Sequence, residues 1–365
     1  MKKILFAEPT INSSEVLNYT KKALKQNFPN EGKFTRIFEN KIKKILKIKY
    51  VVSTTSGTSA IFLALKTLNL KKNDEVIIPN ITFPATANAV KMSGAKLILA
   101  DINPNNLLMD LDSLKKLINK NTKVVIPVHV SGRGENIKEI IKICKSKNIK
   151  IIEDAAEAFG SQMDKKHLGT YGDLGCFSFA PNKIITTGQG GVVVTNNKLT
   201  FKKLSSIKDQ GRVGPTTGGE DIYVTTGFNL KFTNLQSALG ISQLKTFYKR
   251  KQKLLKIHRF YRKNLVTNNN FKLFKFNEKN GELPLWSDVY CKQRNKLFNY
   301  LKKNNINCRY FWYPLNNCKP FKKPDFQFKN TNKLRGKLMW LPSSINLKFT
   351  EQKKICKLIN SFYKK

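Results

Sequence analysis

Residues 150–157 read Lys-Ile-Ile-Glu-Asp-Ala-Ala-Glu, an apolar β-branched run that ends in acids and alanines. A short apolar run of this kind, bounded by polar residues, predicts a strand buried in a parallel sheet. Similar runs alternate with helical patterns on both sides of it, which is typical of a parallel sheet wrapped by helices. The predicted strands are 75–78, 96–100, 124–128, 150–153, 176–179 and 191–195.

The fold class predicted from this alternation is α/β, with a mostly parallel central sheet flanked by helices. Two of the intervening helices are predicted at 58–68 and 135–147. Beyond residue 244 the pattern becomes a long lysine-rich helix to about Asn264, followed by mixed segments and a C-terminal helix from Glu351. We therefore predict a large domain, 1–244, that includes the N-terminal segment, and a smaller α+β domain, 245–365, packed against it.

The chain is strongly basic, with 67 lysines and arginines against 24 acids and a formal net charge of +43. Such a charge alone indicates a nucleic-acid or anionic membrane partner. The lysines, however, are spread from end to end and form no arm, stripe or patch interleaved with aromatics. We interpret them as a solvated surface with no nucleic acid and no membrane as partner. Nucleic-acid binding stays open as an alternative, which the salt dependence of DNA binding would test.

The cysteines and the N-terminus indicate no special compartment. The six cysteines show no CxxC pair and no regular spacing, so we expect reduced thiols and neither a zinc site nor a disulfide framework. The apolar run 4–7 is interrupted by Glu8 and Pro9 before a secretory segment can form, and no later run approaches membrane-spanning length. We expect a cytoplasmic protein without a metal.

Three segments carry residues suited to one chemistry. Residues 54–59, Thr-Thr-Ser-Gly-Thr-Ser, precede an apolar helix, where free amides and the helix dipole bind anions, although the pattern is also that of an ordinary N-cap. Asp154 follows a buried strand at the edge of the sheet where ligands of open α/β sheets bind; it could equally cap the next helix. Lys183 lies in a loop between two strands, five residues after Ser178 and just before a glycine-rich turn.

Together these segments suit a phosphorylated pyridine aldehyde. The helix start would bind its phosphate, and an ionised Asp154 would keep a ring nitrogen protonated. A lysine that forms a Schiff base needs a neutral amine within reach of the aldehyde. A fourth segment, 227–240, places a glycine and amides before an apolar helix and by itself predicts only a capped helix.

In this order the segments resemble the DegT/DnrJ/EryC/StrS sugar aminotransferases, which depend on pyridoxal phosphate and have the aspartate-aminotransferase fold (fold type I). The resemblance extends over nearly the whole chain, from Phe38-Glu39 through 74–79 and 82–86 to 309–315 and 341–344. It implies that Lys183 is the catalytic residue that carries the cofactor and shuttles a proton. It also implies a set of cofactor-binding residues: Thr58, Ser59, Phe83, Asp154, Glu157, Ser178, Lys183 and Asn229.

Within that set the resemblance implies distinct roles. Asp154 would pair with the pyridine nitrogen and Phe83 would stack on the ring, although an aromatic residue at that place is often part of the core. Thr58, Ser59 and Ser178 would bind the phosphate. Asn229 would reach the cofactor of the neighbouring subunit, which implies a homodimer with shared active sites.

Some positions depart from the common family pattern. Ser56 stands where Asn is usual, Lys231 replaces an arginine, Gln189 replaces an acid, and Asn316 stands where a histidine often follows Pro-Leu. Lys183 distinguishes the chain from a related dehydratase branch that has histidine there. Glu157 and the runs 182–188 and 208–211 look most like the perosamine-synthase-like branch.

This likeness implies transfer of an amino group from L-glutamate to a nucleotide-linked keto-deoxysugar at carbon 4, through the pyridoxamine phosphate form of the cofactor. Amination at carbon 3 by the same family, and a non-catalytic regulatory member, are the alternatives. The nucleotide, the sugar epimer and the pathway do not follow from the sequence, since such discrimination depends on pocket contacts.

Overall fold

The computed structural model describes residues 3–214 and 221–364. Their helices are α1 (Ser13–Leu24), α2 (Lys33–Leu46), α3 (Gly57–Lys66), α4 (Pro84–Ser93), α5 (Leu111–Leu117), α6 (Ile137–Lys145), α7 (Lys198–Lys208), α8 (Asn234–Lys245), α9 (Phe247–Asn264), α10 (Arg294–Lys303), α11 (Lys329–Leu334) and α12 (Phe349–Lys364). Their strands are β1 (Tyr50–Thr54), β2 (Glu75–Pro79), β3 (Lys96–Ala100), β4 (Thr122–Val125), β5 (Lys150–Asp154), β6 (Gln162–Met163), β7 (Lys166–His167), β8 (Leu174–Ser178), β9 (Gly191–Thr195), β10 (Arg212–Val213), β11 (Ile222–Tyr223), β12 (Phe271–Leu273), β13 (Ser287–Cys291), β14 (Arg309–Tyr310) and β15 (Leu338–Leu341).

A seven-stranded sheet forms the centre of the larger part of the chain, in the order β1-β9-β8-β5-β4-β2-β3. Strands β8, β5, β4, β2 and β3 run parallel, whereas β9 is antiparallel to both of its neighbours. The predicted α/β class with a mostly parallel sheet is therefore confirmed. All six predicted strands are present, with β4 ending at Val125 instead of residue 128, and the sequence analysis missed β1.

Helices cover both faces of this sheet because successive strand residues point to opposite sides. Val193 belongs to an apolar cluster with Ile61 and Leu65 of α3. Its neighbour Val192 packs into a second cluster with Phe38 and Ile42 of α2. Burial on both faces explains why the strands are continuously apolar in sequence.

The C-terminal part contains an antiparallel sheet in the order β12-β13-β15-β14, with α10 and α12 packed against it. The N-terminus crosses to this sheet: the amide of Ile4 donates to Asn305 O at 2.9 Å, and Phe6 O accepts from the amide of Ser343 at 2.9 Å. The predicted boundary at residues 244 and 245 falls at the end of α8 and stays a prediction. The backbones of Ile4 and Phe6, however, bond to the segments just before β14 and just after β15 of the C-terminal sheet.

In the described ranges, none of the helices combines the length and the apolar character that crossing a bilayer requires.

Candidate active site

A cavity of about 290 Å³ opens between the carboxyl ends of β5 and β8, the start of α3 and the C-terminal sheet. This is the edge of an open α/β sheet at which ligands bind. It is lined by Phe6, Ser56, Gly57, Thr58, Ile61, Thr82, Phe83, Ala85, Val128, Asp154, Ala156, Glu157, Ser178, Ala180, Asn182, Lys183, Gln189, Trp286, Arg309, Trp312 and Trp340. The structure thus brings Lys183 and Asp154, 29 positions apart in sequence, to one cavity.

Asp154 ends β5 as a buried carboxylate. Its Oδ2 accepts a hydrogen bond from Thr86 Oγ1 at 2.6 Å, and its Oδ1 accepts from the amide of Ala156 at 3.1 Å. Burial raises the pKa of this carboxyl above its ordinary value, while the Thr86 hydroxyl, the Ala156 amide and the charge of Lys183 oppose that shift. A cation bound beside Asp154 would stabilise its ionised form.

Lys183 lies in the loop between β8 and β9, and its side chain is only 13% exposed. The backbone of this loop is held at two points: the Lys183 amide donates to Ala180 O at 3.0 Å, and Arg250 Nη1 donates to Ile184 O at 3.2 Å. The Nζ atom lies 3.3 Å from Oε1 of Glu157, a carboxylate whose side chain is 7% exposed. Lys183, which carries the one amine among the described residues that line the cavity, is therefore fixed beside an acid.

The start of α3 forms an anion cradle against the end of β8. Ser56 Oγ caps the helix by accepting from the amide of Ser59 at 3.0 Å, and Gly57 is the first helical residue. A Cβ atom on Gly57 would lie 2.7 Å from Ser178 Cβ, so only glycine permits this close approach. Thr58 and Ser178 line the cavity at this point, where helix amides and the helix dipole favour a phosphate.

Phe83 caps α4 and is 52% exposed, so it is not a core residue in this chain. It lines the same cavity as Asp154. An exposed aromatic face at the wall of a cavity is available for stacking on a planar ring.

Two predicted residues lie elsewhere. The hydroxyl of Ser59 contacts Thr55 Oγ1 and Ser56 Oγ, each at 2.9 Å, and Ser59 is absent from the cavity lining. Asn229 is exposed, lies outside the lining and pairs through its backbone with Asp209. Neither residue can therefore be placed at the cavity of its own chain.

The sequence analysis assigned no role to the aromatic wall of the cavity. Phe6, Trp286, Trp312 and Trp340 form it, and the last three are all of the tryptophans in the chain. The Phe6 and Trp286 ring centroids lie 4.8 Å apart, and those of Trp312 and Trp340 lie 5.2 Å apart. No spacing signal joins these positions, although Trp312 and Arg309 fall within the segment 309–315 that carried part of the resemblance.

The four unusual positions have local explanations. Ser56 caps α3, and Lys231 Nζ pairs with Asp209 Oδ1 at 2.7 Å. Asn316 is fully buried, and its backbone N–H donates to Asn80 Oδ1 at 2.9 Å. It is therefore not a surface ligand-binding residue. Gln189 lines the cavity, and its main-chain carbonyl accepts from Thr187 Oγ1 at 2.8 Å.

Comparison with known proteins decides the family. Residues 10–360 match the DegT/DnrJ/EryC1/StrS aminotransferase family. The chain belongs to this family. As a DegT/DnrJ/EryC1/StrS protein it is a pyridoxal-phosphate-dependent aminotransferase, which confirms the predicted enzyme class and cofactor.

Individual members of the family are similar over nearly their whole length. The GDP-perosamine synthase of Escherichia coli O157:H7 is 32% identical, with 100% of this chain and 99% of that protein covered. The UDP-4-amino-4,6-dideoxy-N-acetyl-beta-L-altrosamine transaminase of Campylobacter jejuni strain 81-176 is 30% identical, with 92% and 88% covered. The solved structure of Helicobacter pylori PseC, an aminotransferase involved in the biosynthesis of pseudoaminic acid, superposes with a TM-score of 0.92 at 24% identity, covering 100% of both chains.

The residues of the cavity fit pyridoxal phosphate. The cradle between Gly57 and Ser178 suits a phosphate, the exposed Phe83 ring suits stacking, and Lys183 supplies an amine. The buried Asp154 carboxylate, whose pKa burial raises, suits a protonated ring nitrogen as the cation beside it. The cavity of this DegT/DnrJ/EryC1/StrS enzyme thus offers a suitable group for each part of the cofactor.

Proposed function

We propose that this aminotransferase moves an amino group from L-glutamate to carbon 4 of a nucleotide-linked keto-deoxysugar. The observation that carries the proposal is the convergence of Lys183, Asp154 and Phe83 on one cavity with the anion cradle at Gly57. The carbon position is supported by one relative, the transaminase of a 4-amino-4,6-dideoxy sugar.

When bound, pyridoxal phosphate supplies an aldehyde that captures amines and a ring that withdraws electrons from the reacting carbon. Lys183 Nζ would hold the cofactor covalently and, once released, move a proton between carbon atoms. Such positioned proton transfer contributes about 10² to 10⁴-fold in rate. Asp154 would keep the ring nitrogen protonated, and Glu157 would hold the ammonium form of Lys183 between steps.

The remaining cofactor contacts orient the ring and phosphate. Thr58 and Ser178 would bind the phosphate together with the amides at the start of α3, and Phe83 would cover one face of the ring. Ser59 would contribute its backbone through the same helix start, since its hydroxyl contacts Thr55 and Ser56. These contacts do not use the aromatic wall of the cavity, which is therefore available to the substrate.

The substrate wall suits an anionic ligand with flat or apolar faces. Trp312 and Trp340 offer aromatic surface on which sugar C–H groups or a base can pack. The Arg309 guanidinium lies 5.8 Å from the Trp340 ring centroid, and among the described residues no carboxylate lies within ion-pair distance of it. A diphosphate is the group of the proposed substrate that an arginine at this position would bind.

A homodimer with shared sites is part of the proposal. Asn229 is exposed and is not among the residues that line the cavity of its own chain, as expected for a residue that reaches the cofactor of a second copy. Two copies would then form two complete sites by symmetry.

One experiment tests the activity. Full-length protein is incubated with pyridoxal phosphate, L-glutamate and a panel of nucleotide-linked 3-keto and 4-keto deoxysugars, and amine incorporation is read by mass spectrometry. We expect 2-oxoglutarate and a 4-amino sugar in equal amounts. Lys183→Ala should abolish both products while Lys150→Ala, which removes an exposed lysine, should not. Amination of 3-keto sugars alone, or full turnover by Lys183→Ala, would contradict the proposal.

A further inference from the structure

Glu157 is a buried carboxylate whose two oxygens are held by different parts of the chain. Its Oε2 accepts from the amide of Ser131 at 2.9 Å. Its Oε1 accepts from Trp286 Nε1 at 3.1 Å and from Lys183 Nζ at 3.3 Å. The indole N–H and the lysine amine therefore share one carboxylate oxygen.

Two of the three donors to Glu157, Trp286 and Ser131, are positioned by the C-terminal sheet. Trp286 directly precedes β13, is 3% exposed, and stacks near Phe6. Ser131 has a left-handed backbone conformation, with φ 53°, and its hydroxyl donates to Asp288 Oδ1 of β13 at 2.7 Å. A non-glycine residue keeps such a conformation when its surroundings hold it there.

We propose that Trp286 is a positioning residue for Lys183 and acts through Glu157. The inference rests on the proposed role of Lys183 and deepens it. With the indole N–H present, hydrogen bonds fix the carboxylate at both oxygens, and a charge-assisted hydrogen bond is stronger than a neutral one. Without it, Ser131 still holds Oε2, but Oε1 is held only by the lysine amine itself, so the carboxylate can turn away from Lys183.

Rotation of the Glu157 carboxylate away from the amine would change how readily Lys183 reacts. A fixed carboxylate beside an amine favours its ammonium form, which is unreactive toward acylating reagents. Loss of the indole N–H should therefore make the Lys183 amine react faster with an acylating reagent. If Trp286 acted only as a competing donor on Oε1, its removal would strengthen the Glu157–Lys183 contact and have the opposite effect.

The first measurement is the acylation rate of Lys183 in full-length, cofactor-free protein at pH 7, read by peptide mass spectrometry relative to Lys150 in the same digest. We expect Trp286→Phe to accelerate it by about threefold to tenfold, the size of effect expected from the loss of one hydrogen bond to the carboxylate. Trp312→Phe, the matched change on the same cavity wall, should leave it unchanged. No change or a slower rate in Trp286→Phe would overturn the proposal.

The second measurement shows whether the effect passes through Glu157. Glu157→Gln keeps the shape but removes the charge, so it should also accelerate acylation. In the double variant, Trp286→Phe should add nothing further, because interacting residues give non-additive effects. An equal acceleration by Trp286→Phe in both backgrounds would assign the tryptophan a merely structural role and overturn the proposal.

A third measurement does not require the buried Trp286 to be replaced. The three tryptophans give three indole N–H signals in a ¹⁵N-labelled protein. The Trp312 signal is the one missing from Trp312→Phe, and the Trp340 signal is assigned as the one that Asp288→Asn moves through its contact with Trp340. Glu157→Gln should move the remaining signal, which belongs to Trp286. If no such signal moves, the hydrogen bond is absent and the proposal fails.

Failure of the proposed function is distinguishable from failure of this inference. Borohydride reduction of the wild-type protein loaded with pyridoxal phosphate should fix the cofactor on Lys183. If peptide mapping finds it elsewhere, the proposed function fails whatever the acylation rates are. If it is on Lys183 and Trp286→Phe behaves as Trp312→Phe does, only the role of Trp286 fails.

Discussion

Thr86 Oγ1 lies 2.6 Å from Oδ2 of Asp154, so a hydroxyl of α4 donates to a buried carboxylate at the end of β5. Burial nevertheless raises the pKa of Asp154. A carboxyl whose pKa is higher in the folded than in the unfolded state binds its proton more tightly when folded. The folded state therefore loses stability as pH rises from the ordinary carboxyl range through the raised value, and this loss persists at pH 7.

Asp154→Asn should consequently stabilise the cofactor-free protein at pH 7 while abolishing transamination. We expect a gain of about 1 kcal/mol, or roughly 1 to 2 °C in melting temperature, that disappears near pH 3 where the wild-type carboxyl is protonated in both states. Thermal unfolding at the two pH values and the glutamate half-reaction are the measurements. A variant that is less stable at pH 7 than the wild type would contradict the assignment.

Phe83→Ala should weaken cofactor binding with little effect on folding. Loss of an aromatic stacking contact typically costs about 0.5 to 1.5 kcal/mol, so the Kd for pyridoxal phosphate should rise about threefold to tenfold. Because Phe83 is 52% exposed, we expect the stability of the cofactor-free protein to change by less than about 0.5 kcal/mol. Met92→Ala is the control, since Met92 lies at the other end of α4 and is 59% exposed. Equal Kd values for the two variants would exclude a stacking role.

The sequence predicted the parts of the site that lie on consecutive strands and turns. Asp154 and Lys183 could be placed because Asp154 ends one visible apolar strand and Lys183 lies in the loop after another, and parallel strands end at one edge of a sheet. Strand β1 was missed because its sequence, Tyr-Val-Val-Ser-Thr, gives only a short apolar run before two polar residues that are buried in the fold.

The aromatic wall could not be predicted in the same way. Phe6 and Trp286 meet at 4.8 Å although 280 positions separate them in sequence, because the N-terminus pairs with the C-terminal sheet. Periodicity describes local structure, and it contains no information on how two sheets face each other. The Ser59 hydroxyl lies outside the cavity lining for a local reason, since it contacts Thr55 and Ser56 at the helix start, and the role of Ser59 in phosphate binding stays a prediction.

Mixing two inactive variants tests the shared site. Lys183→Ala removes the amine, and Asn229→Asp, nearly isosteric, would place a negative charge beside a phosphate of the partner's cofactor. If Asn229 acts across the interface, a mixed dimer has one site with both defects and one intact site. Co-expression should then restore roughly a quarter of the wild-type activity, since half of randomly formed dimers are mixed.

Two outcomes would contradict shared sites. Mixed dimers can be isolated with two different affinity tags. If they show no activity above that of the parent variants, Asn229 and Lys183 belong to one site of the same chain. Asn229→Asp could also be fully active alone, which would remove Asn229 from the site altogether. Retained cofactor absorbance in each parent distinguishes lost function from lost folding.

Arg309→Gln should weaken binding of the nucleotide-linked sugar and not the glutamate half-reaction. The other charged groups of the cavity are engaged: Asp154 with Thr86, and Glu157 with Lys183. Arg309 thus remains to bind an incoming anion, and hydrogen bonds to charged groups contribute about 1.5 to 3 kcal/mol. We expect KM for the sugar nucleotide to rise at least about tenfold, and this difference to shrink at high salt because a charge interaction is screened.

Arg294→Gln provides the matched control for this prediction. Arg294 begins α10, and its guanidinium lies 4.3 Å from the ring centroid of Tyr310 on β14, outside the cavity lining. Both variants remove one positive charge from a protein of net charge +43, so a diffuse electrostatic effect would lower sugar binding equally in the two. A specific rise in KM with Arg309→Gln alone supports a diphosphate contact. A slower glutamate half-reaction with unchanged sugar KM would instead assign Arg309 to the carboxylate of the amino donor.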